Sequence, residues 1–250
     1  MRYLIKFSYD GSNYKGYQIQ PNHRTIQEEL ETALQKVNNN IHRSIQSTGR
    51  TDKGVHAKEQ YAHFDIDITI TTHKLKRALN SNLPNDIHII NVYEVDDHFH
   101  ARYQVKEKEY NYYINLGEYN PIERNYVFQY NYKLNIENMR KAIVYFVGKH
   151  DFRAFATDSK DKENCIRNIS HASIEQDKEN SQKYIFIFRG NGFLRYQVRN
   201  MVGILIKVGE EKIKPEMVKT ILESKNRNKL GVTAPAEGLY LKNVSFKNKI

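Results

Sequence analysis

The sequence predicts an α+β fold in two similar halves. Two observations carry that prediction. Over the first hundred residues, apolar side chains recur with strand and then helical periodicity, in the order strand, helix, strand, strand, helix, strand. The second half echoes this mixture of elements at low resolution, with no repeat of the sequence itself. No Gly/Ser-rich or Pro-rich linker marks a boundary. The change of pattern puts it at 103/104, giving an N-terminal half of residues 1–103 and a C-terminal half of residues 104–250.

Each element has its own signal. Tyr3, Ile5, Phe7 and Tyr9 alternate with Leu4, Lys6 and Ser8, a strand that Asp10-Gly11-Ser12-Asn13 breaks as a turn. Thr25 and Glu28 have the spacing of a capping box. Ile26, Leu30, Ala33, Leu34 and Val37 follow at helical spacing, so residues 25–38 are predicted helical. Ala62, Phe64, Ile66, Ile68 and Ile70 predict a long strand. Leu75, Ala78, Leu79 and Leu83 predict a second helix, stopped by Pro84, and residues 86–95 a further strand. In the second half, Tyr110, Tyr112, Ile114 and Leu116 open a strand that residues 126–130 can pair with. Asn135 is placed to cap a helix carrying Met139, Ile143, Phe146 and Val147. Strands follow over Ile166–Ile174 and Tyr184–Phe188. Leu194, Val198, Met201, Val202, Leu205 and Ile206 make the most apolar helix. Pro215 fits the first turn of a shorter helix through Leu222, and Leu239, Leu241 and Phe246 close with a strand.

Composition narrows the function. Lys and Arg number 39 against 29 Asp and Glu, a formal charge of +10 that points to a polyanionic partner, nucleic acid before an anionic membrane. The basic residues are interleaved with 18 tyrosines along the chain, which suits a folded surface that meets phosphates and stacks on bases. The alternative is a soluble protein that is simply rich in lysine. A 39% hydrophobic content supplies a packed core and argues against wholesale disorder. A single cysteine, Cys165, excludes an intrachain disulfide framework and an all-cysteine zinc site. The sequence shows no signal-peptide core and no apolar run of membrane-spanning length, so a cytoplasmic protein is expected. Gly11 and Gly16 have P-loop spacing, but Tyr17-Gln18 follows where Lys and Ser/Thr are needed. Gly190-Asn191-Gly192 lacks the third glycine of a dinucleotide fingerprint. The chain has neither the zinc-deaminase signature nor a nucleophile elbow. His98 and His100 could share a strand face, but with no cysteine nearby the expectation is no metal site.

Three segments read as loops: Tyr9–Pro21, Ser47–Lys58 and the charged Ser159–Cys165, which is most simply a solvated surface loop. In the second, Gly49-Arg50-Thr51-Asp52-Lys53-Gly54-Val55-His56-Ala57 sets a compact charged cluster between two glycines. One reading is a basic surface turn with Asp52 as a local cap. The other puts Asp52 in a cleft as nucleophile or base, with Arg50 and Lys53 for phosphates.

Six ordered motifs bear on that choice. Tyr9-Asp10-Gly11, Tyr14-Lys15-Gly16 and Gln18-Ile19-Gln20 make an opening loop. Gly49-Arg50-Thr51-Asp52 with Gly54-Val55-His56-Ala57 is the most specific. Phe99-His100-Ala101-Arg102 with Tyr110-Asn111-Tyr112, and Gly148-Lys149-His150-Asp151-Phe152, follow. Gly192-Phe193-Leu194 with Val198-Arg199-Asn200 and Val202-Gly203, then Ala234-Pro235 with Gly238-Leu239-Tyr240-Leu241, complete the set. In this order they resemble the tRNA pseudouridine synthase A family over essentially the whole chain. The resemblance implies two ferredoxin-like halves joined through a mainly antiparallel central sheet flanked by helices. It also implies isomerisation of uridine to pseudouridine at positions 38, 39 and 40 of the tRNA anticodon stem-loop, by a homodimer without a cofactor.

The resemblance also implies roles. Asp52 is the catalytic aspartate, adding to ribose C1′ or to base C6; the sequence leaves both open. Arg199 matches the arginine that pairs with it, the alternative being a snorkelling residue on an amphipathic helix. Tyr110 matches the tyrosine that packs on the target base, the alternative being a strand-core tyrosine; Tyr112, two residues on, reads as scaffold. Arg50 helps displace the uridine from its stack, a step costing a few kcal/mol. Lys15, Arg24, Lys53, Lys58, Arg102, Lys106, Lys108 and Arg195 are candidates for RNA-backbone contact, each on its own more often a solvated charge. Three positions depart from the family: Tyr17 where tryptophan is frequent, Lys53 where a small residue is usual, and Gln197 where methionine is common. A non-catalytic RNA-binding module and a paralogue acting on another RNA are the rival readings.

Overall fold

A computed structural model describes residues 1–157 and 165–248. Residues 159–164 of the charged loop therefore lie outside the described residues. The chain forms two compact units, Met1–Lys106 together with Tyr240–Ile250, and Glu107–Leu239.

The first unit begins with β1 (Arg2–Tyr9), α1 (Ile26–Val37), β2 (Gln46–Ser47), β3 (His56–Asp65), α2 (Thr72–Asn82) and β4 (Ile87–Val95). β1 lies between β3 and β4, antiparallel to both, with Ile5 opposite Ala62 on one side and Val92 on the other. β2 pairs with β3 at Gln46–His63 and Ser47–Ala62. Ile26, Leu30, Ala33 and Leu34 of α1 and Leu75 and Leu79 of α2 are the buried stripes the periodicity predicts. β3 differs from expectation: it starts six residues earlier than Ala62 and ends at Asp65, with the Ile66–Ile70 alternation falling outside it. The capping box also does not form. Thr25 makes no side-chain cap bond, and its hydroxyl is buried without a partner. The first two amides of the helix are met instead by the opening loop, the Gly16 and Tyr17 carbonyls accepting from Ile26 (3.3 Å) and Gln27 (2.9 Å).

The second unit contains all but the first two residues of β5 (Val105–Asn115), then β6 (Phe128–Gln129), α3 (Ile136–Ile143), β7 (Gly148–Asp151), β8 (Ile166–Gln176), β9 (Lys183–Gly190), α4 (Gln197–Gly209) and α5 (Met217–Ser224). Its sheet runs β5-β9-β8-β7, antiparallel throughout, and β6 joins β5 in parallel with Ile114 opposite Phe128. Asn135 caps α3 as expected, its side chain accepting from the Asn138 amide at 3.0 Å. That helix ends at Ile143, short of Val147, and tightens into a 3₁₀ turn over Val144–Phe146. In α4, eleven of thirteen residues are buried, which makes it the central helix of this unit. Leu194 precedes it: Tyr196 takes a left-handed φ of +62°, so the helix starts at Gln197.

The last strand, β10 (Leu239–Phe246), pairs in parallel with β3 at Tyr240–His56 and Leu241–Ala57. The division drawn from the pattern placed all of 104–250 in one half; by packing, Tyr240–Ile250 belongs to the first unit. Tyr61 and Phe99 both meet Phe246 there, at 5.1 and 5.7 Å between ring centres. Among the described residues, no helix is long and apolar enough to cross a membrane.

Candidate active site

In the first unit two motif loops are fastened to each other. The opening loop leaves β1, and the Asp52 loop joins β2 to β3. The Tyr17 amide donates to the Thr51 carbonyl at 3.1 Å, and the Gly54 amide to the Tyr14 carbonyl at 3.4 Å. The hydroxyls of Tyr9 and Thr51 share a buried hydrogen bond of 2.8 Å. Within the second loop, the Val55 amide donates to the Asp52 carbonyl at 3.2 Å, closing a tight turn at Gly54, whose φ is +78°. Asp52 heads this turn and is half-buried.

The two glycines of the opening loop are there because the backbones touch. A β-carbon on Gly16, whose φ is +109°, would stand 2.9 Å from the Thr51 carbonyl oxygen and 3.3 Å from the Asp52 carbonyl carbon. One on Gly11 would collide with the Val55 carbonyl.

Polar side chains brace the pair of loops from beneath. His56 is 2% exposed; its Nδ1 accepts from the Gly11 amide at 3.1 Å, lies 3.2 Å from the Asp10 carboxylate, and its ring stacks on Tyr240. Gln60, fully buried, donates to the Gly49 carbonyl at 2.9 Å and accepts from the Thr48 hydroxyl. Asp86 accepts from the Tyr14 hydroxyl and from both terminal nitrogens of Arg24, at 2.9 and 3.1 Å. Burial pushes the Tyr9 and Tyr14 phenols up from their ordinary range, with the Asp86 carboxylate adding to the effect at Tyr14, so both stay protonated donors.

The basic candidates of this unit divide. Lys15, Arg50, Lys53, Lys58, Arg102 and Lys106 are exposed. Lys58 lies 5.6 Å over the Tyr240 ring. Arg24 is committed elsewhere: besides Asp86 it binds Glu29 at 2.7 Å and covers the Tyr14 ring at 4.3 Å. Its guanidinium is a strut between α1, the opening loop and the turn before β4, not an open phosphate ligand.

The second unit brings three motifs together. Tyr110 on β5 is 8% exposed, lies opposite Phe188 on β9 and meets Phe193 edge-on at 5.1 Å. Tyr112 is fully buried and donates to the Pro235 carbonyl at 2.9 Å, the scaffold role its spacing suggested. The Tyr113 amide donates to the Gly238 carbonyl at 2.8 Å. Arg199, in the first turn of α4, is half-buried; its Nε donates to the Ala234 carbonyl at 2.7 Å and its guanidinium lies 5.0 Å over the Tyr196 ring. Arg195, exposed, covers the same ring at 5.2 Å, and Lys108 is half-buried. Asn200 donates to the Phe155 carbonyl and accepts from the Thr233 hydroxyl, both at 2.7 Å. Gln197, the departure from methionine, accepts from the Leu194 amide at 2.8 Å and so fixes the start of its own helix. Tyr17, the departure from tryptophan, is 2% exposed.

The sequence reading missed His56, Gln60 and Asp86 as bracing residues. His56 was visible inside a motif, whereas Gln60 and Asp86 carry no local signal, since each acts on a segment distant in sequence.

Comparison with known proteins gives the family. A sequence model of the family described as tRNA pseudouridine synthase matches residues 5–104 and 142–247. A tRNA pseudouridine synthase A 1 of Bacillus cereus is 46% identical over 243 residues, covering 96% of this chain and 97% of that protein. A tRNA pseudouridine synthase A of Streptococcus agalactiae is 44% identical over 249 residues, covering 99% and 96%. One of Limosilactobacillus reuteri is 43% identical over 248 residues, covering 98% and 96%. The matched segments contain both the Asp52 loop and the Arg199 helix, and the chain belongs to the tRNA pseudouridine synthase family.

Proposed function

We propose that this enzyme isomerises uridine to pseudouridine at positions 38, 39 and 40 of the tRNA anticodon stem-loop, with Asp52 as the nucleophile. The observation that carries the proposal is the Asp52 turn, held backbone to backbone by the opening loop. A nucleophile must be presented in one direction, and a turn clamped at Thr51, Gly54 and Val55 does this.

The reaction breaks the bond from C1′ to N1, turns the base, and joins C5 to C1′. The proton lost from C5 is balanced by one gained at N1, so no oxidant, hydrolytic water or cofactor is required. An ionised carboxylate attacks without an activating base. The family resemblance assigns Arg199 as its countercharge, a planar cation well suited to holding a carboxylate. It assigns Tyr110 to support the uracil face and Arg50 to the vacated space in the stem. The exposed Lys15, Lys53, Lys58, Arg102, Lys106 and Arg195, with half-buried Lys108, are assigned to the RNA backbone. Neighbouring target positions imply recognition of RNA shape through phosphate and 2′-OH contacts. The reading includes a homodimer acting in the cytoplasm, which light scattering on the purified protein and cell fractionation examine.

Asp52→Ala is expected to abolish pseudouridine formation in purified tRNA while leaving RNA affinity within a few-fold. Activity equal to wild type removes Asp52 from the mechanism. A pseudouridine map of total RNA from a deletion strain tests the substrate, and unchanged anticodon arms reject it.

A further inference from the structure

Helix α2 carries a basic face that neither the fold nor the reaction uses. It contains His73, Lys74, Lys76 and Arg77 and no acidic residue. His73, Lys74 and Arg77 are exposed and Lys76 is half-buried, while Leu75 and Leu79 hold the helix to its unit. Four basic side chains elsewhere in this unit meet carboxylates: Arg2 with Asp65, Lys6 with Glu59, Arg24 with Glu29 and Asp86, Arg43 with Asp67. Among the described residues, no ion pair engages Lys74, Lys76 or Arg77.

The arrangement works against the helix that carries it. α1 and α3 place Glu28, Glu29 and Glu137 in their first turns and basic residues in their last, as the helix dipole favours. α2 has no acid in its first turn and no base in its last, and it sets His73 and Lys74 at the positive end. Lys74 and Arg77 are three residues apart, the spacing at which like charges repel on one face. Folding gains nothing from such a face, whereas a polyanion would neutralise it.

We infer that the basic face of α2 is a contact surface for the phosphate backbone of the substrate RNA. This rests on the proposed reading of the chain as a tRNA-modifying enzyme. The C-terminal end of α2 runs through Leu83 and Pro84 to Asp86, whose carbonyl accepts from the Asp10 amide at 2.9 Å and whose carboxylate holds Tyr14 and Arg24. The C-terminal end of the helix is thus tied to the opening loop that clamps the Asp52 turn, and a helix of eleven residues is about 16 Å long. A membrane surface fits less well, because both large apolar residues of the helix, Leu75 and Leu79, are buried and none is left to insert.

The test compares wild type with the triple variant Lys74→Gln/Lys76→Gln/Arg77→Gln. Binding to whole tRNA is measured across a salt series, and pseudouridine formation at saturating tRNA. Each phosphate contact contributes a slope of about 0.9 in log K against log salt, or about 8-fold in affinity at ~0.1 M salt. The expected result is a Kd raised at least about 8-fold, a salt slope shallower by about 1–3, and turnover at saturation retained. The thermal midpoint holds or rises, because the repulsion is relieved. The charge-preserving variant Lys74→Arg/Lys76→Arg/Arg77→Lys keeps wild-type affinity. Unchanged affinity and salt slope in the Gln variant overturn the inference while leaving the proposed function intact, provided wild type modifies the tRNA. Loss of binding to phosphatidylserine vesicles with tRNA binding unchanged overturns it as well. A wild-type protein that neither binds nor modifies tRNA overturns both.

Discussion

Replacing Gly16 by alanine adds one methyl group where the opening loop crosses the Asp52 turn. The new β-carbon would meet the Thr51 carbonyl oxygen at 2.9 Å, against about 3.4 Å for ordinary contact, so the two backbones must part by about 0.5 Å. The Asp52 and Lys53 backbones, each 3.3 Å away, lie on the same side and cannot absorb the shift. Alanine at a φ of +109° is strained as well. Together these cost about 1–3 kcal/mol, which lowers the thermal midpoint by roughly 2–12 °C for a chain of this size. If a misplacement of 1 Å costs about 100-fold in rate, half of that costs on the order of tenfold. The assay is single-turnover pseudouridine formation on purified tRNA, quantified by nucleoside mass spectrometry, beside a circular-dichroism melt. Reduced rate with tRNA affinity preserved is the expected pattern if, as proposed, the displaced Asp52 acts in the chemical step. A variant with wild-type rate and wild-type melting temperature refutes the claim that backbone contact between the loops sets the aspartate.

Gly11→Ala should be more damaging than Gly16→Ala in both assays, because its β-carbon meets the Val55 carbonyl almost head-on. Tyr112→Phe removes a buried hydroxyl and leaves the Pro235 carbonyl without that donor; urea unfolding should show a loss of about 1–2 kcal/mol. Asn200→Leu deletes bonds to Phe155 and Thr233 in a site with no solvent exposure, and should cost about 2–4 kcal/mol, more than an exposed substitution on the same helix. His63 is held down to about 4 by burial first, then by the nearby His100 and Arg2. A free histidine takes up its proton near 6.5, so the folded state resists protonation. The stability from neutral His63 is present above about pH 6.5 and is lost as the pH falls towards 4, by up to about 3 kcal/mol. Thermal melts of wild type and His63→Asn over that range should converge at low pH; parallel curves contradict the assignment.

Periodicity determined most of the elements, because burial of one face is written locally: Tyr3 to Tyr9 form a strand, and Ile26 to Val37 a helix, wherever they are placed. The ordered motifs likewise pointed to Asp52, Tyr110 and Arg199, through the family they resemble and not through any local peculiarity of turn, strand or helix. Where local signals competed with distant partners, the distant partners prevailed. Thr25 looks like a helix cap, yet it makes no side-chain cap bond, and the distant Gly16 and Tyr17 carbonyls meet the first two amides of the helix. Arg24 looks like a phosphate ligand, yet Asp86, sixty-two residues away, has claimed it. The final strand follows the second half in sequence and pairs with β3 of the first unit, which no periodicity can specify because parallel pairing depends on backbone groups that every residue carries. The sequence, through its family motifs, nominated the side chains proposed to bear the chemistry. Which backbone presses against which, and therefore why Gly11 and Gly16 must be glycine, was decided only when residues far apart in the chain were brought within van der Waals contact.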